Sequence, residues 1–320
     1  MKIFLTGASG FIGGAVAEKL QEKHEIYGMA RSEKSVEKLK SMGIRPVRTA
    51  LNEVKIENIK GCKAVIHCAA FVEQWGSREQ FWKTNVEGTR QLLEVARAAG
   101  VKRFIHLGTE AAFFYGQDMI DIDETYPYPK RSPFLYSETK REAEKLVLAA
   151  NREGIFETIS VRPRMVWGPG DQTFLPELKK AIQKGGFLWI DGGKAKTSSV
   201  YIDNLVVGIE LALDKGKRGN AYFITDDEIL TFREFFTQYL GTQGITPPNK
   251  NIPGWLARSI AFALESIWRT FGIKSAPPIT RFAANVTSRI GTISIEKAKR
   301  ELGYQPLLTV QQGMEAIRKE

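Results

Sequence analysis

The sequence predicts an α/β fold, a doubly wound parallel sheet that carries a smaller C-terminal cap. Three observations predict it. Short apolar stretches alternate with helical ones through the first two thirds of the chain, the pattern that builds parallel sheets. A glycine-spaced turn stands directly behind the first of them. After about residue 167 the rhythm breaks into glycine-rich connections, scattered aromatics and shorter elements. At 320 residues, 43% hydrophobic and 26% charged, the chain can bury a full core as one large domain or two intimately joined ones.

In chain order, "KIFLTG", "EIYGMAR", "AVIHCAA", "RFIHLGT" and "TISVRPRMV" read as buried strands, being short, apolar and bounded by turn residues, with a weaker strand near "IRPVRTAL". Between them lie helices such as "GGAVAEKLQEK" and "TNVEGTRQLLEVARAAG", the second stopped by Gly100. A further helix begins near Ser132, read as its N-cap with Pro133 behind it, and carries Tyr136 and Lys140 one above the other on one face. Later, "SSVYIDNLVVGIELALDKGKRG" predicts another helix packed on the sheet, and "AYFITDDEILTFREFFTQYLG" predicts strand, turn and helix. No internal repeat or low-complexity linker occurs. The expected division is 1–166 with 198–217 as the first unit, and 167–197 with 218–320 as a cap fused to it.

Charge and cysteine usage exclude several classes. The net charge of +10 comes from basic residues interleaved with glutamates along helices such as "EKSVEKLKSMG" and "EKAKRELG"; no block of like charge appears, so nucleic acid is not an expected partner. Attraction to anionic ligands or an anionic membrane surface stays open. Cys62 and Cys68 do not make a disulfide framework, and with three scattered histidines no zinc pattern forms, so no metal is expected. There is no apolar run of transmembrane length, and the glycine-broken amino terminus does not read as a signal peptide, so a cytoplasmic location is expected.

The glycine turn "TGASGFIGG" gives the first chemistry. Gly7, Gly10 and Gly13 allow a sharp bend, a close approach of backbone N–H groups to a pyrophosphate, and tight helix–strand packing. The helix N-terminus then faces the phosphates with its partial positive charge. Because the turn follows a strand and opens a helix, it reads as a Rossmann-type dinucleotide site. The second strand ends in Arg31, with Ser32 and Lys34 beside it and Glu33 as the first acid. A guanidinium there suits a 2′-phosphate, so NADP(H) is preferred, with NAD(H) as the alternative and an ordinary surface arginine as the bland reading. The Tyr136/Lys140 spacing alone decides nothing.

"TGASGFIG", "HCAA" at 67–70, "TNVEGT" at 84–89, "YSETK" at 136–140, "VRPRMVWGPGD" at 161–171 and the closing "AKRELGYQPLLTVQQGM" together resemble the extended short-chain dehydrogenase/reductases of the NAD-dependent epimerase/dehydratase superfamily, over nearly the whole chain. The "RPRMVWGPGD" segment and the apolar C-terminal region are most similar to the branch of 3β-hydroxysteroid dehydrogenases and related ketone reductases. The resemblance implies a catalytic trio of Thr109, Tyr136 and Lys140. Tyr136 would exchange its phenolic proton with a substrate oxygen as hydride moves. A phenol titrates near about 10, so Lys140 together with the positive oxidised nicotinamide is expected to lower it, with Lys140 also holding the nicotinamide ribose. Thr109 would hold the substrate oxygen; a strand-end hydroxyl capping a loop is its bland reading. The family often has two serines here, whereas this chain has Gly108 before Thr109.

The implied cofactor contacts are Gly7, Ser9, Gly10, Phe11, Ile12 and Gly13 in the turn, Arg31 and Ser32, Leu51, Ala69 and Ala70, Asn85, Tyr136 and Lys140, then Pro163 and Val166. The family's adenine-contacting aspartate is replaced by Ala50, which leaves the Leu51 backbone or Asn52 for that contact. Glu110 reads better as a loop carboxylate paired with Arg162 or Arg164 than as an acid of the dehydratase kind, and His67 and His106 read as packing residues.

For the substrate side, "WLARSIAFALESIWRTFG" at 255–272 has a wide apolar helical face. It fits packing onto the cap core first, then lining an apolar pocket or lying on a membrane surface. Trp167, Phe174, Trp189, Trp255, Phe262 and Trp268 are available as pocket walls. The expected function is NADP-dependent interconversion of a ketone and a secondary alcohol on a bulky, largely apolar small molecule (steroid-like or long-chain) bound in the substrate-binding cap. A nucleotide-sugar epimerase or dehydratase and a non-catalytic NADP sensor are the alternatives; pairing into a homodimer is open.

Overall fold

A computed structural model describes residues 1–318. Its centre is a seven-stranded parallel sheet. From one edge to the other the strands are Ala221–Ile224, Glu157–Pro163, Arg103–Leu107, Ala64–His67, Lys2–Thr6, Glu25–Ala30 and Arg45–Arg48. The inner strands are apolar on consecutive residues because both faces are covered. Ile3, Leu5, Ala64, Ile66, Ile105 and Leu107 point into one core, while Phe4, Val65 and Phe104 point into the other. The first core lies under the helices Phe11–Leu20 and Ile202–Lys215, the second under Gly88–Ala98. Strand order reverses between Lys2–Thr6 and Ala64–His67, and the carboxyl ends of these two strands frame the crevice where such sheets bind ligands.

The six strands and the helices read from the sequence are present, and Gly100 ends its helix with φ of 76°. Two expectations are corrected. Ser132 is not the N-cap: the helix runs Leu135–Ala149, and the Ser132 hydroxyl is drawn instead to the Phe114 carbonyl at 2.8 Å. Ala221–Ile224, inside the stretch assigned to the cap, returns to pair with Glu157–Pro163 as the edge strand of the central sheet.

The rest of the C-terminal part has its own core. Trp167, Tyr201, Phe232, Phe235, Phe236 and Tyr239 interlock around the indole of Trp167, with ring centroids 4.9–5.7 Å apart in its three ring contacts. Asp226 joins this core to the sheet: its carboxylate accepts hydrogen bonds from Trp167 Nε1, Ser199 Oγ, the Tyr201 amide and Asn204 Nδ2, at 2.7–3.0 Å. No described helix is long and apolar enough to cross a membrane.

Candidate active site

The residues singled out for the cofactor stand just beyond the carboxyl ends of the central strands. Gly7 follows Lys2–Thr6 in the left-handed region at φ 72°, and a Cβ on it would meet the Ala69 amide at 2.9 Å. At Gly13 a Cβ would lie 2.2 Å from the Gly7 carbonyl oxygen, so this position admits glycine alone. The helix Phe11–Leu20 starts at Gly10 with no side-chain cap, which leaves its first amides to an outside acceptor. Phe11 and Ile12 are half-buried behind it, and the Ser9 carbonyl accepts a hydrogen bond from Lys38 Nζ at 2.9 Å. This cradle fits a pyrophosphate. Ala69 and Ala70 face it across the crevice, the Ala69 amide being tied to Thr6 Oγ1 at 3.1 Å.

At the adenosine end, Arg31 is exposed with no ionic partner among the described residues, and Ser32 caps the helix Glu33–Ser41 by accepting from the Ser35 amide. Glu33 is turned away to Arg48 at 3.0 Å. Leu51 is buried at the start of a short turn, and the neighbouring Asn52 has a buried Oδ1 with no partner, in keeping with a ligand contact there. Pro163 ends its strand; after a turn through Met165 at φ 43°, Val166 begins a short strand paired with Val200–Tyr201.

The catalytic candidates meet at the end of Arg103–Leu107. Asn85, in a π-helical turn at Lys83–Glu87, holds both backbone polar groups of Phe71 and donates to Thr139 Oγ1 at 3.1 Å, which locks the crevice loop to the helix Leu135–Ala149. From that helix Lys140 is buried and donates to the Leu107 carbonyl at 2.6 Å; burial pulls its pKa down to about 8, against the raising effect of Glu144. Tyr136 stands one turn earlier. Burial and the Glu110 carboxylate push its phenol well above the ordinary value, and a hydrogen bond with Thr109 offsets part of that. Lys140 is not among the groups that shift this phenol here, its ammonium being given to the Leu107 carbonyl.

Thr109 Oγ1 donates to Glu110 Oε2 at 2.8 Å and accepts from the Ala111 amide at 3.1 Å. Glu110 in turn holds Arg164 Nη1 at 2.7 Å, and Arg164 Nε donates to Thr197. Of the two arginines considered for Glu110, Arg164 is the partner; Arg162 pairs with Glu144 instead. The latter pair is fully buried. Glu144 accepts from Arg162 Nε at 2.9 Å, Ser160 Oγ at 2.5 Å and Tyr128 at 2.6 Å. Burial alone would raise its pKa, but Arg162 and these bonds outweigh burial and hold it below the ordinary value. This cluster explains Gly108: a Cβ there would meet Ser160 Oγ at 2.6 Å and Glu144 Oε1 at 2.8 Å. His67 is a satisfied packing residue, bonded to Thr6 at 2.7 Å and Thr89 at 3.0 Å. His106 is buried beside it without a hydrogen-bond partner.

The chain is similar to known proteins. The profile of the 3-beta hydroxysteroid dehydrogenase/isomerase family matches residues 4–253. The chain belongs to that family. Within it, the chain is 38% identical to the 4-hydroxy-2-methyl-3-oxo-4-farnesyl-3,4-dihydroquinoline-1-oxide ketoreductase of Stigmatella aurantiaca, over 99% of this chain and 96% of that one. It is 31% identical to the 2-alkyl-3-oxoalkanoate reductase of Stenotrophomonas maltophilia, over 99% and 98%. In structure it resembles the UDP-glucuronic acid 4-epimerase of Bacillus cereus in complex with NAD, with TM-score 0.76 at 19% identity over 100% of this chain and 98% of that one, a likeness of fold. This member of the 3-beta hydroxysteroid dehydrogenase/isomerase family is thus an enzyme of the extended short-chain dehydrogenase/reductase type.

On the substrate side, some of the rings named from the sequence serve the core and others are open to solvent. Trp167 and Trp189 are buried in the aromatic core, and Trp255 and Phe262 face solvent. The ring that does reach the site is Phe282, on the helix Arg281–Ser288, edge-on to Tyr136 with centroids 5.9 Å apart. Phe282 also contacts Phe114 and Phe134. It carried no local signal, since its partners lie far away in the chain. Lys38 was legible in principle, as a cation two turns into the helix behind Arg31.

Proposed function

We propose that the protein is an NADP(H)-dependent oxidoreductase that interconverts a ketone and a secondary alcohol on a bulky, largely apolar substrate. One observation carries the reading. Tyr136, Thr109 and Lys140 converge at the sheet's carboxyl edge, beside a glycine cradle that fits a dinucleotide. Gly7, Gly10 and Gly13 would hold the pyrophosphate, Lys140 and Asn85 the neighbourhood of the ribose, and Arg31 with Ser32 the 2′-phosphate. A bound nicotinamide supplies or accepts the hydride.

The chain's own residues handle the proton. A phenol held above its ordinary pKa stays protonated at neutral pH, which suits Tyr136 to donate to a ketone oxygen. The Thr109 hydroxyl, oriented by Glu110, fixes that oxygen. Glu110 is committed to Arg164, which favours a positioning role over an acid of the elimination kind.

For NADP(H), the support is a free Arg31 where an NAD site would place a carboxylate, with Glu33 turned to Arg48. For the substrate, it is the similarity to relatives named as a ketoreductase of a farnesylated dihydroquinoline oxide and as a 2-alkyl-3-oxoalkanoate reductase. The test is NADPH oxidation, followed by absorbance, across long-chain and polycyclic ketones and nucleotide sugars. Turnover of the apolar ketones alone is the expected result. Conversion of a diphosphate sugar without added cofactor would assign an epimerase instead.

A further inference from the structure

Beside the Tyr136 phenol stand aromatic rings and one buried ion pair. Phe114 and Phe134 stack with centroids 5.4 Å apart, and Phe282 lies edge-on to both and to Tyr136. A carboxylate buried next to such a wall is costly unless it is paired. Glu110 is that carboxylate. It is near enough to Tyr136 for its charge to raise the phenol, second only to burial. Its neighbour Thr109 gives it the hydroxyl hydrogen at 2.8 Å. A negative charge is therefore fixed one side chain away from the place where a ketone oxygen would lie.

The cations around the trio are already engaged. Arg164 is buried, giving Nη1 to Glu110 at 2.7 Å and Nε to the cap's Thr197 at 3.1 Å. The cap strand Gly291–Ile293 closes its far side, where a Cβ on Gly291 would collide with the guanidinium. Arg164 is thus held on three sides. Lys140 is given to the Leu107 carbonyl, and Arg162 to Glu144 with its guanidinium 4.7 Å over the Phe113 ring. Arg281, next to Phe282 in the chain, turns away to the Phe262 ring at 5.0 Å. Covalent bonds of about 1.5 Å put the carboxylate of a β-keto acid only a few ångströms from its ketone oxygen. With that oxygen on Thr109 and Tyr136, the carboxylate would face Glu110, and each of these cations would have to leave a partner to receive it.

We propose that Glu110 determines the charge of the substrate: the site takes an uncharged ketone and turns away a β-keto acid. This rests on the reductase reading, because it places a ketone oxygen at Thr109 and Tyr136. Arg164 is the other half of the device. It is a carboxylate receptor kept occupied by the protein's own acid, so a substrate carboxylate meets repulsion without compensation.

The test compares a long-chain β-keto acid, freshly saponified, with its own methyl ester, so that the charge is the main difference. In the parent, kcat/KM for NADPH-dependent reduction should be about a hundredfold lower for the acid, the effect of facing like charges. Glu110→Gln keeps an acceptor for Thr109 and leaves Arg164 without its carboxylate. The acid should then gain about tenfold or more relative to the ester. Glu110→Gln with Arg164→Met removes both charges, and its ratio should fall between those of the parent and the single variant. The double variant leaves neither charge buried alone, so a folding failure of the single one does not remove the test. A merely structural role would lower acid and ester together. Equal use of acid and ester by the parent, or an unmoved ratio in either variant, would overturn the proposal. If the parent reduces neither compound, the reductase reading has failed, and calorimetry on the NADPH-loaded chain decides, with dodecanoate and methyl dodecanoate as ligands. Binding of the ester alone is expected; equal binding, or binding of neither, overturns the assignment.

Discussion

In the turn behind the first strand, one added methyl group at position 13 would lie 2.2 Å from a backbone oxygen, while on the helix Gly254–Thr270 tryptophan and phenylalanine side chains are more than half exposed. The first region is fixed by how closely backbone must approach backbone, and a ligand must approach both. The second is fixed on its inner side by Ala257 and Ala261, while its outer side stands open. Between them lies Tyr136, whose helix is locked to the sheet by Lys140 and to the crevice loop by Asn85, and whose ring meets the cap through Phe282. The nucleotide side is therefore held by polar contacts at hydrogen-bond distance, and the substrate side by soft ring packing. Changes on the first side should be costly and specific, and changes on the second milder and confined to substrate.

The sharpest way to break this contrast is Tyr136→Phe. The ring still packs on Phe282 but has no proton to give, so turnover should fall by roughly 10²–10⁴-fold with cofactor binding nearly intact. Retention of more than about a tenth of the parent rate in steady-state assays would remove Tyr136 from the chemistry.

Next is the buried pair beneath the site. Glu144→Gln leaves Arg162 buried opposite a neutral amide and should cost about 3–5 kcal/mol in urea unfolding. Glu144 titrates below its ordinary 4.5 when folded. Its ionic contribution is thus complete above 4.5 and is lost as the pH falls through the lower folded value. The variant should lack that acid-side loss; an unchanged slope of stability with pH would contradict the assignment.

Arg31→Ala sharpens the nucleotide side alone. It should weaken NADPH by about ten- to a hundredfold, the worth of a charge-assisted contact, and leave NADH nearly unchanged. Equal losses in fluorescence titration would make Arg31 a structural residue. The smallest effect belongs to Phe282→Ala, whose loss at the site is the edge-on contact with Tyr136, worth about 0.5–1.5 kcal/mol, beside those with Phe114 and Phe134. KM for the ketone should rise by up to about tenfold with the cofactor Kd unmoved; a larger change in Kd than in KM would place Phe282 on the wrong side of the comparison.

The same contrast decides what could be read from the sequence. The central strands were legible because burial on both faces makes them continuous apolar runs, and the glycine turn was legible because its backbone leaves no choice of residue. Ser132 misled because a cap is a local rule, and the Phe114 carbonyl, distant in sequence, took its hydroxyl. The strand Ala221–Ile224 was recognised, but chain order does not say that it rejoins the first sheet. In the helix at 254–270 the apolar pattern gave the period and not the side. The small residues marked the covered face, and the large ones the open face.

Gly108 has a consequence for the chain's history. A second hydroxyl at 108 would require Ser160 and Glu144 to shift, because the added side chain would enter space they hold. Trimming Glu144 first would strand Arg162. Each single step is disfavoured, so the two arrangements are separated by a valley in the mutational landscape, and a lineage that adopted the buried carboxylate is channelled into using a single hydroxyl at this strand end.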